Sequence, residues 1–172
     1  MFKKTLLAVA LVAFGGFALN ASAASNTTTF NVTATVINNC VISSTNIAFG
    51  SYDPTSATAV TAAGNVSAKC TKNDVVYVEL GQGSNAGTGS TAQVPVRQMK
   101  SATTAGLLPY HIYTTSGGTT EWGTGAANRP ASQTSVSVGT ALNFPTYGSL
   151  PAGADVAAAT DYTDSVVATV TY

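Results

Sequence analysis

The 172-residue chain carries seven Lys+Arg and seven Asp+Glu, a formal net charge of zero. Charged residues are only 8% of it, against ~25% for an average soluble protein, and no basic patch is present, which argues against a nucleic-acid partner. Thr, Ser, Asn and Gly do the polar work, a composition that suits a secreted β-protein and suits an enzyme poorly.

Residues 1–23 read as a secretory signal peptide. Lys3 and Lys4 form a basic start, Thr5 to Leu19 is an almost unbroken apolar run, and Ala21-Ser22-Ala23 supplies the small residues a signal peptidase needs. A transmembrane anchor needs about 20 apolar residues. This run is shorter and ends in a cleavage site, so no stable membrane insertion is expected. Removing 23 of 172 residues leaves 149, one domain's worth, with five Lys+Arg against seven Asp+Glu.

Thr28 to Val36 alternates Phe30, Val32, Ala34 and Val36 on one face with Thr29, Asn31, Thr33 and Thr35 on the other. That is the two-residue period of a strand with one buried side, placed where chain termini are usually loose. A ready-made strand at a free end must find a sheet to join. Cys40 and Cys70 are the only cysteines. In an exported chain an even count predicts a disulfide, worth roughly 3–4 kcal/mol for a loop of about 30 residues. A metal site lacks a second His and a CxxC pair.

Val41 to Tyr52 reads as one bent strand or two short ones, and Thr58 to Cys70 as strand, loop and strand. Val75 to Leu80 is a strong strand. Gly81 to Gly89 is a loop, and its Gly-x-Gly is followed by no helical pattern, so it is no phosphate cradle. Gln93 to Lys100 reads as an edge strand because Pro95 lies within it. Leu107 to Thr115 and Thr134 to Phe144 are further strands, and Tyr147 to Thr160 reads as loop. Asp164 to Tyr172 closes the chain, with Val166, Ala168, Val170 and Tyr172 on the core face. Seven or eight short strands between Gly/Pro/Asn turns predict an all-β sandwich with Greek-key connections.

Little of the chain points to chemistry. His111 is the single histidine, set opposite the Leu108/Tyr110/Ile112 face and hence toward solvent, with neither nucleophile elbow nor triad partners. Asp155, Asp161 and Asp164 are read as turn and strand-entry residues rather than a calcium or glycosidase site. Tyr110, Tyr113, Trp122 and Tyr147 are read as core and sheet aromatics rather than a glycan platform. Three Asn-x-Ser/Thr matches at Asn26, Asn31 and Asn65 are what chance produces in so Asn- and Thr-rich a chain. Neither a cofactor nor catalytic activity is expected.

Several features taken in order resemble the spore coat protein U-like domain family. Cys40 follows an alternating strand; Cys70 precedes Tyr77-Val78-Glu79-Leu80-Gly81; Arg97-Gln98-Met99 precedes Leu108-Pro109-Tyr110-His111-Ile112-Tyr113; then come Trp122-Gly123, Tyr147-Gly148 and the ending Asp161 to Tyr172. The family includes subunits of archaic chaperone–usher pili. The resemblance implies an incomplete immunoglobulin-like sandwich lacking its final strand, a periplasmic chaperone, an outer-membrane usher and neighbouring pilin subunits as partners. It also implies fibre growth by donor-strand exchange, a surface location, and roles in attachment and biofilm. Residues 24–37 are then the donor extension, with Phe30, Val32, Ala34 and Val36 as its inserting face. Residues 38–172 are the pilin domain, with Val166, Ala168, Val170 and Tyr172 along the acceptor groove. A single domain implies a repeating or minor subunit rather than a tip adhesin. The strand ending at Tyr172 is expected to border an unfilled groove, which a donated strand would cover. The rival expectation is a secreted monomeric coat or lectin-like protein whose N-terminal strand completes its own sheet.

Overall fold

The computed structural model describes residues 23–172, so the predicted secretion signal falls outside the described residues apart from Ala23. The chain divides between Thr35 and Val36 into two units. In the first, residues 23–35 enter no sheet ladder, and Phe30 and Val32 are 84% and 85% exposed.

The second unit is built of β1 (Cys40–Thr45), β2 (Val60–Cys70), β3 (Val75–Leu80), β4 (Arg97–Lys100), β5 (Leu107–Tyr113), β6 (Gln133–Thr134), β7 (Leu142–Leu150) and β8 (Ala168–Thr171). They form a five-stranded sheet, β1-β2-β7-β5-β4, and a three-stranded sheet, β6-β3-β8. Every pairing between them is antiparallel. The result is the all-β, immunoglobulin-like sandwich the strand pattern predicts. A period of two puts alternate side chains on one face. Val66 and Ala68 of β2, Val76 and Val78 of β3, Leu108 and Ile112 of β5, and Leu142 and Phe144 of β7 meet in the core. Trp122 is fully buried among them, and its indole N–H donates to Val78 O at 3.1 Å. A transverse disulfide joins Cys40 to Cys70, which face each other in the β1–β2 register.

Several boundaries differ from the sequence reading. Val60 to Cys70 is one continuous strand without the expected loop. Ile47 to Tyr52 forms no strand. Instead it crosses over β7 where Gly148 leaves room: a Cβ there would lie 2.7 Å from Ile47 Cγ2 and 2.8 Å from Phe49 Cζ. β4 starts only at Arg97, after Pro95, and is an edge strand as expected. The expected strand Thr134–Phe144 breaks into the short β6 and the start of β7, and the expected loop from Tyr147 begins four residues later, because β7 runs on to Leu150.

Pro145 misleads here, since proline is rare in central strands. Thr71 N donates to Asn39 O, which sets the alternation along β2 so that Asn65 addresses β1. Pro145, opposite Asn65, therefore turns its nitrogen away from β2. On that other side β5 pairs only with Tyr147 to Ser149, so the missing N–H leaves no ladder bond unmade. The closing strand is likewise shorter than expected, Ala168–Thr171.

Candidate functional site

β1 ends one sheet and β8 ends the other, and among the described residues neither has a second neighbour. Gly81 N donates to Val167 O at 2.8 Å, and the register continues with Leu80 opposite Ala168. Backbone groups alternate sides along an antiparallel strand. Thr169 and Thr171 therefore address β3, while the N–H and C=O groups of Val166, Ala168 and Val170 address the open side. The same alternation on β1 directs the backbone groups of Cys40, Ile42 and Ser44 outward.

Between these two edges lies an open groove of ≈ 680 Å³. Leu80, Tyr110 and Ile112 reach its floor, Ile42 and Val66 stand on the β1 side, and Val166 and Ala168 on the β8 side. Ile47, Phe49, Met99 and Tyr162 also line a second cavity of ≈ 570 Å³, so the apolar trough continues beneath the Ile47–Tyr52 crossing. A trough with an apolar floor, flanked by unpaired backbone donors and acceptors, is complementary to an extended strand with one apolar face. Polar side chains line it too, among them Ser43, Ser44, Thr45 and Asn46 at the β1 rim, and its one carboxylate is engaged. Asp164 accepts from Ser84 N at 2.9 Å, from Asn85 N and Nδ2, and from the Tyr110 hydroxyl at 2.6 Å. Burial, then the bond to Asp164, pushes the Tyr110 hydroxyl far above the ordinary phenol range, so it stays a donor. Thr146 Oγ1 alone is buried beside the groove without a partner among the described residues.

Val166, Ala168 and Val170 pack against the core, whereas Val167 is 70% exposed. Tyr172, expected on the same face, is exposed. Of the N-terminal alternating residues, Phe30, Val32 and Val36 are exposed large apolar groups and Ala34 is exposed too.

The residues with chemical potential are dispersed. Asp161 accepts from Ser101 Oγ, Thr103 N and Thr103 Oγ1, holding the turn after β4, while Asp164 serves the loop at Ser84–Asn85. Among the described residues no cluster of His, Cys, Asp and Glu suits a metal. Tyr110 and Trp122 are core; Tyr113 and Tyr147 are half-buried sheet residues. His111 is less free than its strand parity implied. It pairs with Glu121 and stacks on Tyr113, ring centroids 5.4 Å apart. Sequence reading missed Arg97, which is fully buried, donates to Gly81 O and Trp122 O, and faces Glu121 at 3.5 Å. The signal was faint: an Arg just after the Val94-Pro95-Val96 stretch, at the start of a short strand.

A sandwich with two facing open edges and an apolar trough between them defines an incomplete immunoglobulin-like domain. Comparison with known proteins gives the family. The profile of the Spore Coat Protein U domain matches residues 26–169, and the chain is 36% identical over 175 residues to Protein U of Myxococcus xanthus, covering 96% of this chain and 93% of that one. The chain belongs to the Spore Coat Protein U domain family, and it is a structural protein rather than an enzyme. Its fold is similar to a chain in the crystal structure of the CsuC–CsuE chaperone–tip adhesion subunit pre-assembly complex from the archaic chaperone–usher Csu pili of Acinetobacter baumannii. The TM-score is 0.56 at 22% identity, over 80% of this chain and 41% of that one.

Proposed function

We propose that this protein is a subunit of a surface pilus assembled by the chaperone–usher route through donor-strand exchange. Residues 1–23 direct export to the periplasm, residues 24–37 are the donor extension, and residues 38–172 are the domain that accepts a strand. The partners are a periplasmic chaperone that lends a strand to the groove, an outer-membrane usher, and neighbouring subunits. The fibre serves adhesion and biofilm formation. The observation that carries this reading is the trough between the unpaired edges of β1 and β8. Membership of the family and the fold shared with a pilus subunit complex agree with it.

Phe30, Val32, Ala34 and Val36 enter the groove of the next copy. Burying Phe30, Val32 and Val36 supplies roughly 1.5–3 kcal/mol each, joined by strand hydrogen bonds to Ala168 and Val170 and opposed by the entropy of ordering the segment. Ile37 to Asn39 spans at most about 10 Å, which permits a hairpin with β1 but not a crossing to a distant edge of its own domain.

The test is Phe30→Asp combined with Val32→Asp. Two carboxylates cannot enter an apolar groove without partners, while the disulfide-bonded domain is untouched. Subunit should accumulate with chaperone in the periplasm and disappear from surface fibres. Normal fibres from the double variant would sink the proposal.

A further inference from the structure

The root of the N-terminal extension is fastened to one turn. Asn39 N donates to Thr71 Oγ1 at 2.9 Å, Thr71 N donates back to Asn39 O at 3.0 Å, and the Thr71 hydroxyl reaches Ile37 O. The loop after β6 is bound to the same turn. Asn73 N donates to Ser135 O at 2.7 Å, Ser135 N to Asp74 O at 2.9 Å, and Ser135 Oγ to Cys70 O at 3.1 Å. Around this polar hub stand Ile37, Val75, Val136 and Val138, exposed by 76%, 57%, 66% and 67%. Isolated surface valines need no explanation, but each of these four lies within three residues of a residue of the hub, so they concentrate at one end of the domain.

We propose that this end of the sandwich is a second contact between consecutive copies of the chain, separate from the groove, which sets the angle between them. The inference rests on the strand-exchange reading above. If Thr28–Val36 lies in the next copy's groove, only Ile37 to Asn39 separates that groove from the Thr71–Asp74 turn. A tether of at most about 10 Å holds the neighbour's body against this rim. The occupant is therefore a second copy of this chain. The rim's valines present an apolar surface where that copy must stand. The donor strand supplies the link, and the rim limits how far the link can swing.

Fibres of the full-length chain carrying Val136→Ser and Val138→Ser provide the test. The donor strand and groove are unaltered, so fibres should form, and the spread of angles between consecutive subunits on electron micrographs should at least double. A second measurement uses Val138→Cys and Ala63→Cys, the latter on the exposed outer face of β2. In assembled fibres a maleimide should label position 138 at least tenfold more slowly than position 63. An unchanged angular spread, or equal labelling of the two positions, overturns the contact. Failure of strand exchange itself reads out separately, as fibres that survive Phe30→Asp with Val32→Asp.

Discussion

Arg97 shows how one side chain can tie the sandwich together. It starts β4 in the larger sheet, and its guanidinium bonds Gly81 O, at the end of β3 in the smaller sheet, and Trp122 O at 2.6 Å. Burial lowers the guanidinium pKa, and the nearby Tyr110, Glu121 and Asp164 oppose that shift. Arg97→Met would fill the volume but leave Glu121 and both carbonyls without their cation. A loss of about 3–5 kcal/mol is expected, read as a lower denaturant midpoint; a midpoint within experimental error of the parent would contradict it. Asp161 works at the surface instead. The Ser101 hydroxyl, then Thr103, pull its carboxyl down to about 2 from the ordinary 3.8. The folded value lies below the unfolded one, so its contribution is complete above about pH 4 and is lost as pH falls toward 2. A carboxyl-carbon NMR titration should place the midpoint near 2, and Asp161→Asn should remove that transition. A midpoint at the ordinary aspartate value would show that the turn is not held this way.

At the scale of elements, β8 has to serve two sides. Its Ala168 and Val170 pack on the core, its Thr169 and Thr171 address β3, and its remaining backbone groups face the groove. Val170→Asp would place a carboxylate against Val78 and its neighbours without a partner, which costs several kcal/mol. Val167 points outward, so Val167→Asp should leave the yield of soluble subunit near that of the parent. Equal loss for both would refute the face assignment. β1 faces the groove from the other side and gains support from the Cys40–Cys70 bridge. An edge strand with one neighbour is weakly held, and the crosslink keeps it in register beside an open trough.

At the largest scale, the unit from Val36 to Tyr172 is a sandwich with a gap rather than a closed one. Its groove pairs apolar side chains with unpaired backbone on both flanks, a combination that favours aggregation if left uncovered. On the proposed strand exchange every copy would be both donor and acceptor, a heterologous contact that builds an open fibre where the rotation between copies does not close. On the same proposal, export comes first. The secreted chain should begin at Ala24, and mass spectrometry of surface material should find no subunit that retains Met1.

Strand content and facing were legible from residue order alone, because a buried face forces alternation. Val76, Val78 and Leu80, or Leu108, Tyr110 and Ile112, can be assigned inward without any coordinates. The disulfide was legible too, since two cysteines in a chain read as exported leave a single pairing. Local composition gave no access to what depends on neighbours. Pro145 sits inside β7 only because β5 ends its pairing at Tyr147, and Ile47–Tyr52 leaves the sheet because Gly148 admits Ile47 and Phe49. Arg97 is buried because carbonyls from two distant segments converge on it. The groove belongs to this second class. Alternation says that β8 has an inner face, but only the order of strands in each sheet decides that, among the described residues, β1 and β8 both lack a second neighbour and open onto one trough. A period of two is a property of one strand, whereas an unpaired edge is a property of the whole assembly of strands.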